Sequence, residues 1–407
     1  MNNKNTIHKI CIFTQSPLSG APRVVKEANA YAQHGYNVTV YALWITPQGV
    51  ENDKTLIDSR IQFKPGIDLR TNGLKTKCIR LQRRFGRELV KYFKVETLAS
   101  LGYDFKNYYK KINAEQADLY IGHEEMSMAL AKKLIENKKQ VAFDFEDWHS
   151  KDLLPKDRIY RPITLLENLE AFLLKNTSYC YTTSDAMGEA MASYYNTKVP
   201  CTIYNAFPSK ARMQMDGLHK DIKDKSTFSL YWFSQVISEG RGLELLFEAL
   251  PYTKTNFQLH LRGVITEEYK SIVENSMPEN VSLFIHELVP MGELISRIAE
   301  HDLGIAFEET TPESRNYTIT NKVFHYLQSG IAILATETAG QLEVLEKTKG
   351  AGIISDRNPI ALAQLIDEIV SENNQLERMK GCSWLAGETL FSFEKQEEKL
   401  LQFLDSE

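Results

Sequence analysis

Short runs of apolar and β-branched residues alternate with amphipathic helical segments along almost the whole chain. The run KICIF leads into the helical segment APRVVKEANAYAQHG, and NVTVYAL follows it. Later runs are ADLYIG, QVAFDF, SYCYTT and PCTIYN, each followed by a helical or turn segment. Strands that alternate with helices in this way indicate βαβ units. We therefore predict α/β architecture with a parallel, doubly wound sheet.

A second series of the same kind begins after a polar stretch, residues 206–225, which we interpret as a linker. It contains FSLYWF, NFQLHLRG, DLGIAF and IAILAT, with helical segments between them. We predict an N-terminal Rossmann-like domain over 1–207, joined by a C-terminal helix at 386–407, and a C-terminal Rossmann-like domain over 208–385. Such sheets bind ligands at the carboxyl ends of their strands, so we expect the two domains to face a ligand across a cleft.

Composition narrows the class of function. The 407 residues carry a net charge of −5 and are 43% apolar, which favours a globular protein that does not bind nucleic acid. The five cysteines include no CxxC pair, so neither a disulfide framework nor a zinc site is expected. No apolar run approaches the roughly 18 residues of a membrane-spanning helix. We expect a cytoplasmic protein, or one bound peripherally to the inner face of the cytoplasmic membrane.

The segment TITNKVFHYLQSG predicts a helix whose N-terminus suits an anion. Thr318, Thr320 or Asn321 can cap it with a side-chain oxygen. Lys322 adds a full positive charge to the partial charge of the helix N-terminus, and together they suit a diphosphate. The alternative is an ordinary surface helix with a solvated lysine.

Two further βα connections of the same domain carry groups that suit a phosphate. Arg241 lies between Gly240 and Gly242, which allow a tight turn, and arginine can grip phosphate through two N–H groups. The turn at 338–340 opens another helix after the strand IAILA and offers free N–H groups. Glu343 in that helix either caps it or binds a ligand hydroxyl group.

The N-terminal half offers further candidates. The loop after its first strand, QSPLSGAPR, lacks GxGxxG, so a classical dinucleotide site is not expected. His123 and Glu124 follow a strand, where a histidine can polarise a hydroxyl group or simply cap the next helix. Asp144 and Glu146 form a D-x-E pair near His149, as in some metal-dependent sugar transferases. Such a short spacing is weak evidence, and we predict no metal.

Residues 75–94, KTKCIRLQRRFGRELVKYFK, hold eight basic residues and one acid. Ile79, Leu81, Phe85, Leu89 and Phe93 can occupy much of one helical face. A basic amphipathic helix is typical of an element that lies on an anionic membrane surface. An ordinary helix with a solvated basic face is the alternative.

Taken in order, these stretches resemble retaining GT-B glycosyltransferases of the large bacterial family 4, of the capsular and cell-surface polysaccharide kind. The resemblance covers nearly the whole chain and includes SGAPRVVKEANAYAQHGYNVTVYA, DLYIGHEEMSMALA, FDFEDWHS, FSQVISEGRGLELLFEAL and TNKVFHYLQSGIAILAT. It implies two Rossmann-like domains, the second of which holds most of a nucleotide-sugar donor. It also implies that the last helix crosses back onto the N-terminal domain.

The resemblance implies a role for each matched residue. His123 corresponds to the catalytic histidine beside the donor sugar. The loop near the reacting centre corresponds to Ser19, Gly20 and Ala21, with Arg23 just beyond it. The donor diphosphate is assigned to Arg241, Lys322, Thr338, Ala339 and Gly340. The donor nucleoside and sugar are assigned to Tyr317, Thr318, Asn321, His325 and Glu343.

The chain departs from the family's pair of glutamates separated by seven residues. Counted back from Gly330, their positions fall at Tyr317 and His325. A histidine can still hydrogen-bond a ribose hydroxyl group. Glu300 and Glu308 have the right spacing, but they flank a predicted strand, and we interpret the match as a coincidence.

The resemblance implies a transferase that moves a sugar, with retention, from a nucleotide-sugar to a saccharide or lipid-linked acceptor in envelope polysaccharide or glycolipid synthesis. The cation pair implies chemistry without a metal, with the nucleotide-sugar as co-substrate and no other cofactor. A GT-B nucleotide-sugar epimerase and an inactive GT-B scaffold or partner protein are the alternatives. Peripheral contact with an anionic membrane is assigned to residues 75–94.

Overall fold

The computed structural model describes residues 7–222, 224 and 226–405. These residues form two compact units, divided between Ile203 and Tyr204, with the chain from Glu397 onward belonging to the first. Across the described ranges, the structure contains no helix that is both long and apolar enough to span a bilayer.

The first unit is built on a seven-stranded parallel sheet. Its strands are β1 (Lys9–Phe13), β2 (Asn37–Trp44), β3 (Gln62–Asp68), β4 (Leu119–His123), β5 (Val141–Phe145), β6 (Tyr179–Thr182) and β7 (Cys201–Thr202). The order across the sheet is β3-β2-β1-β4-β5-β6-β7. Ile12 in β1 lies beside Val40 on one side and Ile121 on the other. The apolar runs of these strands are buried, as expected for a sheet covered on both faces.

Eight helices connect these strands. They are α1 (Pro22–Gln33), α2 (Pro47–Lys54), α3 (Leu74–Phe93), α4 (Leu98–Leu101), α5 (Phe105–Asn113), α6 (Glu125–Glu136), α7 (Ile163–Asn176) and α8 (Asp185–Tyr195). Pro22 opens α1, where its fixed φ fits the first helical turn and its missing N–H costs no hydrogen bond.

The second unit is built on a six-stranded parallel sheet. Its strands are β8 (Ser229–Val236), β9 (Phe257–Val264), β10 (Val281–His286), β11 (Leu303–Ala306), β12 (Ala332–Thr336) and β13 (Gly352–Ser355). The order across the sheet is β10-β9-β8-β11-β12-β13. Both sheets therefore reverse their direction of growth once, between β1 and β4 in the first unit and between β8 and β11 in the second. Ligands bind at such switch points in open α/β sheets.

The remaining helices flank the second sheet or close the chain. They are α9 (Glu244–Ala249), α10 (Glu267–Asn275), α11 (Met291–Ile298), α12 (Glu313–Tyr317), α13 (Asn321–Ser329), α14 (Ala339–Thr348), α15 (Pro359–Ser371), α16 (Asn373–Thr389) and α17 (Phe393–Asp405). Leu400 and Leu404 of α17 are buried in the core of the first unit, and Phe403 stacks on Tyr181.

The division into units differs from the boundaries at 207 and 386 that the sequence suggests. Tyr204 and Ala206 are buried in the core of the second unit, together with Ala386 and Phe391. Apolar side chains on either side of the expected boundaries thus pack with the second sheet.

The segment interpreted as a linker also packs against the second unit. The Arg212 guanidinium donates hydrogen bonds to the carbonyl oxygens of Leu327, Gln328 and Trp384. Polar composition indicated a connection between domains, but these contacts hold its first part against the ends of α13 and α16.

Candidate functional site

The loop after β8 carries the predicted cation Arg241, whose side chain is exposed. Gly240 and Gly242 on either side have φ values of 76° and 82°, in the left-handed region that favours glycine. A Cβ at position 242 would overlap the carbonyl oxygen of Phe307, which follows β11. Gly242 thus allows the loops after the two switch-point strands, β8 and β11, to meet in backbone contact beside Arg241.

Lys322 lies in the first turn of α13, and its ammonium group points toward the carboxyl end of β11. Its Nζ is 3.4 Å from Oε1 of Glu308 and 5.4 Å from the centre of the Trp232 ring. The side chain is only 14% exposed, so the charge lies in a partly desolvated setting where its field is stronger than in water. An anion that bound here would compete with Glu308 for the lysine.

The N-terminus of α13 lacks the side-chain cap that the sequence predicts. Thr320 occupies the N-cap position without such a hydrogen bond. The Thr318 hydroxyl donates to the carbonyl oxygen of Ser314, and Asn321 Oδ1 accepts a hydrogen bond from Asn205. The partial positive charge of this helix end is therefore not satisfied by a capping oxygen from its own first turn.

The helix α14 begins with a side-chain cap. Thr338 accepts a hydrogen bond from the backbone N–H of Gln341. The N–H of Ala339 donates to Oδ1 of Asn316, at 3.3 Å. One of the N–H groups predicted to face a diphosphate, that of Ala339, is thus bonded within the second unit, and a ligand that used it would replace Asn316.

Gly340 has a packing role in this arrangement. A Cβ at this position would lie 2.7 Å from the carbonyl oxygen of Tyr317 and 2.8 Å from that of Thr318. The first turn of α14 therefore presses on the backbone that leads into α13. Three of the residues predicted to form one site, Gly340, Tyr317 and Thr318, are in direct contact.

The two remaining donor-site candidates differ in their surroundings. His325 is buried, stacked on Phe207 with 4.0 Å between ring centres and edge-on to Phe233. Glu343 is half-buried and accepts a hydrogen bond of 2.6 Å from the Tyr204 hydroxyl group. His325 occupies a packed position behind Lys322, whereas Glu343 keeps a partly accessible carboxylate.

Glu308, which sequence reasoning set aside as a coincidental match, lies in this region. It directly follows β11, and its N–H donates to the Thr336 hydroxyl at the end of β12. Glu300, the other half of the apparent pair, precedes β11, so the two glutamates are at opposite ends of one strand. The position of Glu308 after an apolar run was the signal that could have revealed it.

In the first unit, the loop after β1 is held by carboxylates. Glu124 accepts hydrogen bonds from the Thr14 and Ser16 hydroxyl groups and from the N–H of Gln15. Thr14 and Glu124 follow β1 and β4, the two strands of the switch point. Glu124 adopts a positive φ of 70°, and this conformation directs its side chain toward the loop.

The predicted reacting-centre residues continue this loop. Buried Asp53 accepts hydrogen bonds from the N–H groups of Leu18 and Ser19, at 3.0 and 2.9 Å. Ser19 and Gly20 are exposed, whereas Ala21 is buried at the start of α1. Hydrogen bonds to Asp53 thus hold the backbone of the loop. Its exposed tip, Ser19 and Gly20, stays accessible to a ligand.

His123, the predicted catalytic histidine, is fully buried, and both of its ring nitrogens face carboxylates. Nε2 is 2.7 Å from Oε2 of Glu27, and Nδ1 is 2.8 Å from Oε1 of Glu146. Burial by itself lowers the pKa of His123, but the hydrogen bonds to Glu146 and Glu27 outweigh it and raise the pKa to about 10. The side chain is therefore an imidazolium at neutral pH.

Arg23 completes this buried network. Its guanidinium grips the two carboxylate oxygens of Asp144 at 2.7 and 2.9 Å and donates to the carbonyl oxygen of Ile203. Arg23 is buried in α1, below the exposed tip of the loop that the sequence assigned to the reacting centre. Its charge is thus neutralised by Asp144, and it ties α1 to β5.

The atoms of His123, Asp144 and Glu146 are close enough to hold a metal ion, since one potential ligand atom from each lies within 4.8 Å of the others. The hydrogen bonding argues for another use. A metal-bound histidine turns the lone pair of one ring nitrogen to the ion, whereas both ring nitrogens of His123 lie within hydrogen-bonding distance of carboxylates, at 2.7 and 2.8 Å. Arg23 already occupies both oxygens of Asp144. In the described structure, the D-x-E pair forms ion pairs with Arg23 and His123.

The described structure thus divides the predicted residues by unit. In the second unit it brings Arg241, Lys322 and the turn at 338–340 to the carboxyl edge of one sheet. In the first unit it brings the loop after β1 and His123 to the switch point. Sequence reasoning missed or set aside the partners of these residues. Glu27, Asp53 and Trp232 are buried, and Asn205 and Glu308 are half-buried.

The chain is similar in structure to several glycosyltransferases. HepE of Anabaena, in complex with UDP and glucose, superposes with a TM-score of 0.66 at 13% identity over 98% of this chain and 100% of that chain. Sucrose-phosphate synthase of Thermosynechococcus elongatus gives 0.64 at 15% identity over 98% of each chain. WaaG, a glycosyltransferase involved in lipopolysaccharide biosynthesis, gives 0.58 at 12% identity over 98% of this chain and 99% of that chain.

The chain matches no protein-family model, and no curated protein matches its sequence. At these identities the structural likeness defines the fold. The protein has two parallel-sheet, Rossmann-like α/β domains of the kind found in GT-B glycosyltransferases, and the predicted fold class is confirmed.

Proposed function

We propose that the protein is a glycosyltransferase that moves a sugar, with retention of configuration, from a nucleotide-sugar to a saccharide or lipid-linked acceptor. The observation that carries this proposal is the pair of cations, Arg241 and Lys322, at the carboxyl edge of the second sheet. One structural neighbour of the same fold, HepE, was solved with UDP, with UDP and glucose, and with UDP-glucose. A uridine nucleotide-sugar is therefore the first donor to test.

The chemistry follows from charge development. When the bond between sugar and diphosphate breaks, the leaving nucleoside diphosphate gains negative charge. A cation held in place before the reaction stabilises that charge without reorganising. Lys322, the uncapped start of α13 and Arg241 are the groups that we assign to it. Glu308 keeps the lysine directed toward the site until the donor displaces it.

His123 is assigned a supporting role in this proposal. A buried imidazolium bonded at both nitrogens cannot reach a substrate without breaking an ion pair. Glu146 accepts one of its hydrogen bonds and keeps 22% of its side chain exposed. We therefore assign His123 as a positioning residue that holds Glu146 in its ionised form, and the Glu146 carboxylate as the partly exposed group of the first unit that a substrate can reach.

The donor assignment is tested by titrating the protein with UDP and UDP-glucose in a calorimeter. Lys322→Ala and Arg241→Ala should each weaken UDP binding by roughly 10- to 100-fold, the value of a charge-assisted hydrogen bond. Lys254→Ala is the matched control. This exposed lysine precedes β9 and so lies at the amino edge of the same sheet, away from the two cations. Equal affinity in all four proteins would remove the assignment.

Turnover assays test the remaining parts of the proposal. Release of UDP with transfer of the sugar indicates a transferase, whereas an intact nucleotide-sugar with an inverted centre indicates an epimerase. Product anomeric configuration tests retention. Activity that survives excess EDTA supports chemistry without a metal, in line with the ion-paired state of His123 and Asp144. Activity lost to EDTA and restored by Mg²⁺ or Mn²⁺ would contradict it.

The proposed acceptor is a saccharide or lipid of the cell envelope. The protein reaches it from the cytoplasmic face of the membrane. The basic helix α3 is the element that we assign to membrane contact.

A further inference from the structure

The helix α3 turns one apolar stripe away from the protein. Leu74, Leu81, Phe85 and Tyr92 are 82%, 65%, 63% and 65% exposed. Their spacings of seven, four and seven residues place them along one face of a helix with 3.6 residues per turn. Large exposed apolar patches mark surfaces that contact a membrane or another protein.

The opposite face holds α3 to the first unit. Thr76, Gly86 and Val90 are buried, and a Cβ at Gly86 would lie 2.8 Å from the backbone carbon of Ala99 in α4. This close approach leaves α3 little freedom to roll. The apolar stripe therefore faces outward because the other side of the helix is packed, and not because the helix is loosely attached.

A basic pocket flanks the stripe. It encloses a volume of about 390 Å³, and its lining consists of Arg80, Arg83, Arg84, Arg87, Glu88, Tyr103 and Tyr160. The four arginines against one glutamate give the lining an excess of positive charge. Throughout the part of the chain that the structure describes, none of these four guanidinium groups forms an ion pair.

Two of the guanidinium groups are held by aromatic rings. Arg83 lies 4.4 Å above Tyr103, and Arg87 lies 5.0 Å from the Tyr160 ring centre. Nε of Arg83 is buried and has no hydrogen-bond acceptor among the described residues. Stacking orients these planar groups before any ligand arrives, which reduces the entropy lost on binding. Oriented, unneutralised arginines are the chemistry that recognises a phosphate.

We propose that this pocket binds the phosphate group of an anionic membrane lipid while the apolar stripe of α3 enters the acyl region beside it. The inference deepens the membrane contact of the proposed function and rests on it. A free phosphate would use the arginines alone and would leave the neighbouring stripe unexplained. A lipid joins an anionic head to an apolar chain, and α3 presents the two complementary surfaces side by side.

Vesicle sedimentation tests the proposal. The unaltered protein should sediment with vesicles of phosphatidylcholine and phosphatidylglycerol and not with phosphatidylcholine alone. Arg84→Gln with Arg87→Gln should weaken partitioning roughly thirtyfold, since each basic residue at an anionic surface contributes about 1 kcal/mol. Both side chains are exposed, so unchanged melting temperatures are expected.

The matched control is Lys110→Gln with Lys138→Gln, which removes the same charge from exposed positions outside the pocket. Equal weakening in both double variants would overturn the pocket in favour of general attraction. Leu81→Ser with Phe85→Ser should also release the protein from vesicles. If this variant still sediments with the vesicles, or if the unaltered protein binds inorganic phosphate but no anionic vesicle, the lipid proposal is wrong.

The two proposals fail independently. Loss of vesicle binding in the arginine variant with unchanged UDP affinity supports the lipid site alone. Absence of UDP and UDP-glucose binding in every variant, with vesicle binding intact, would remove the donor assignment and leave the lipid site standing.

Discussion

His123 carries a buried positive charge that stabilises the fold. Its imidazolium bridges Glu27 and Glu146 at full burial, whereas a neutral histidine could donate to only one of these carboxylates and would offset the charge of neither. The pKa of about 10 in the folded state lies above the roughly 6.5 of an unfolded chain. The stabilisation is therefore complete below about pH 6.5 and disappears as the pH rises through about 10.

His123→Gln should accordingly lose more stability at neutral pH than near pH 10. Removing one partner of a buried ion pair costs about 3–5 kcal/mol. Urea unfolding at pH 7 measures this loss, and repeating it near pH 10 should show a smaller gap between the two proteins. Taking the difference between them cancels other titrating groups, including Lys26, whose burial lowers its pKa to about 7. A gap that does not change with pH would contradict the imidazolium.

At the scale of elements, the contact between the loops after β8 and β11 depends on one glycine. Gly242→Ala should destabilise the second unit by about 1–3 kcal/mol, because the new Cβ meets the Phe307 carbonyl and the φ of 82° is strained for alanine. It should also weaken UDP binding, because the loop that carries Arg241 must move. Urea unfolding and calorimetry measure the two effects.

Gly240→Ala is the control for backbone strain alone. Its φ of 76° is similar, but a Cβ there has no atom within 4 Å, so only a conformational cost of about 1 kcal/mol is expected. Equal losses in the two variants would show that the contact with Phe307 does not matter.

Over the whole molecule, the stability of the two units should change differently as the pH falls. In the second unit, burial lowers the pKa values of His260, His286 and His301, that of His260 to about 2. Asp221 lies 3.5 Å from a ring nitrogen of His286 and 3.7 Å from one of His301, and burial outweighs its attraction in both cases. Since an unfolded histidine takes up its proton near pH 6.5, the stability that these histidines contribute is present above that pH and is lost below it.

Hydrogen exchange read by mass spectrometry can follow both units at once. Between pH 6.5 and about 5, protection corrected for intrinsic rates should fall in peptides of β9 and β10. Peptides of β4 and β5 in the first unit should keep theirs, since His123 is already charged there. Earlier loss of protection in the first unit would contradict this prediction.

Local pattern was sufficient for much of the architecture. Apolar runs of strand length between amphipathic helices predict parallel sheets. A buried strand and a helix differ in the spacing of their apolar residues, and this difference does not depend on which elements they pack against. The same pattern places Arg241, Lys322 and the turn at 338–340 in βα connections. In any parallel sheet, these connections leave the strands at the carboxyl edge. Domain ends were less well predicted, because Tyr204 and Ala386 pack with the second core through contacts that no local signal records.

The sequence by itself therefore determined the two α/β series and the loops that carry the cations, since both follow from periodicity within about a dozen residues. Only the tertiary structure decided that Glu308 faces Lys322, that His123 is charged and buried, and that the apolar stripe of α3 points outward. Each of these depends on strand order and helix packing, which bring together groups as distant as Glu27 and His123. Burial and charge pairing are properties of those neighbours, and a residue's own position in the chain does not specify them.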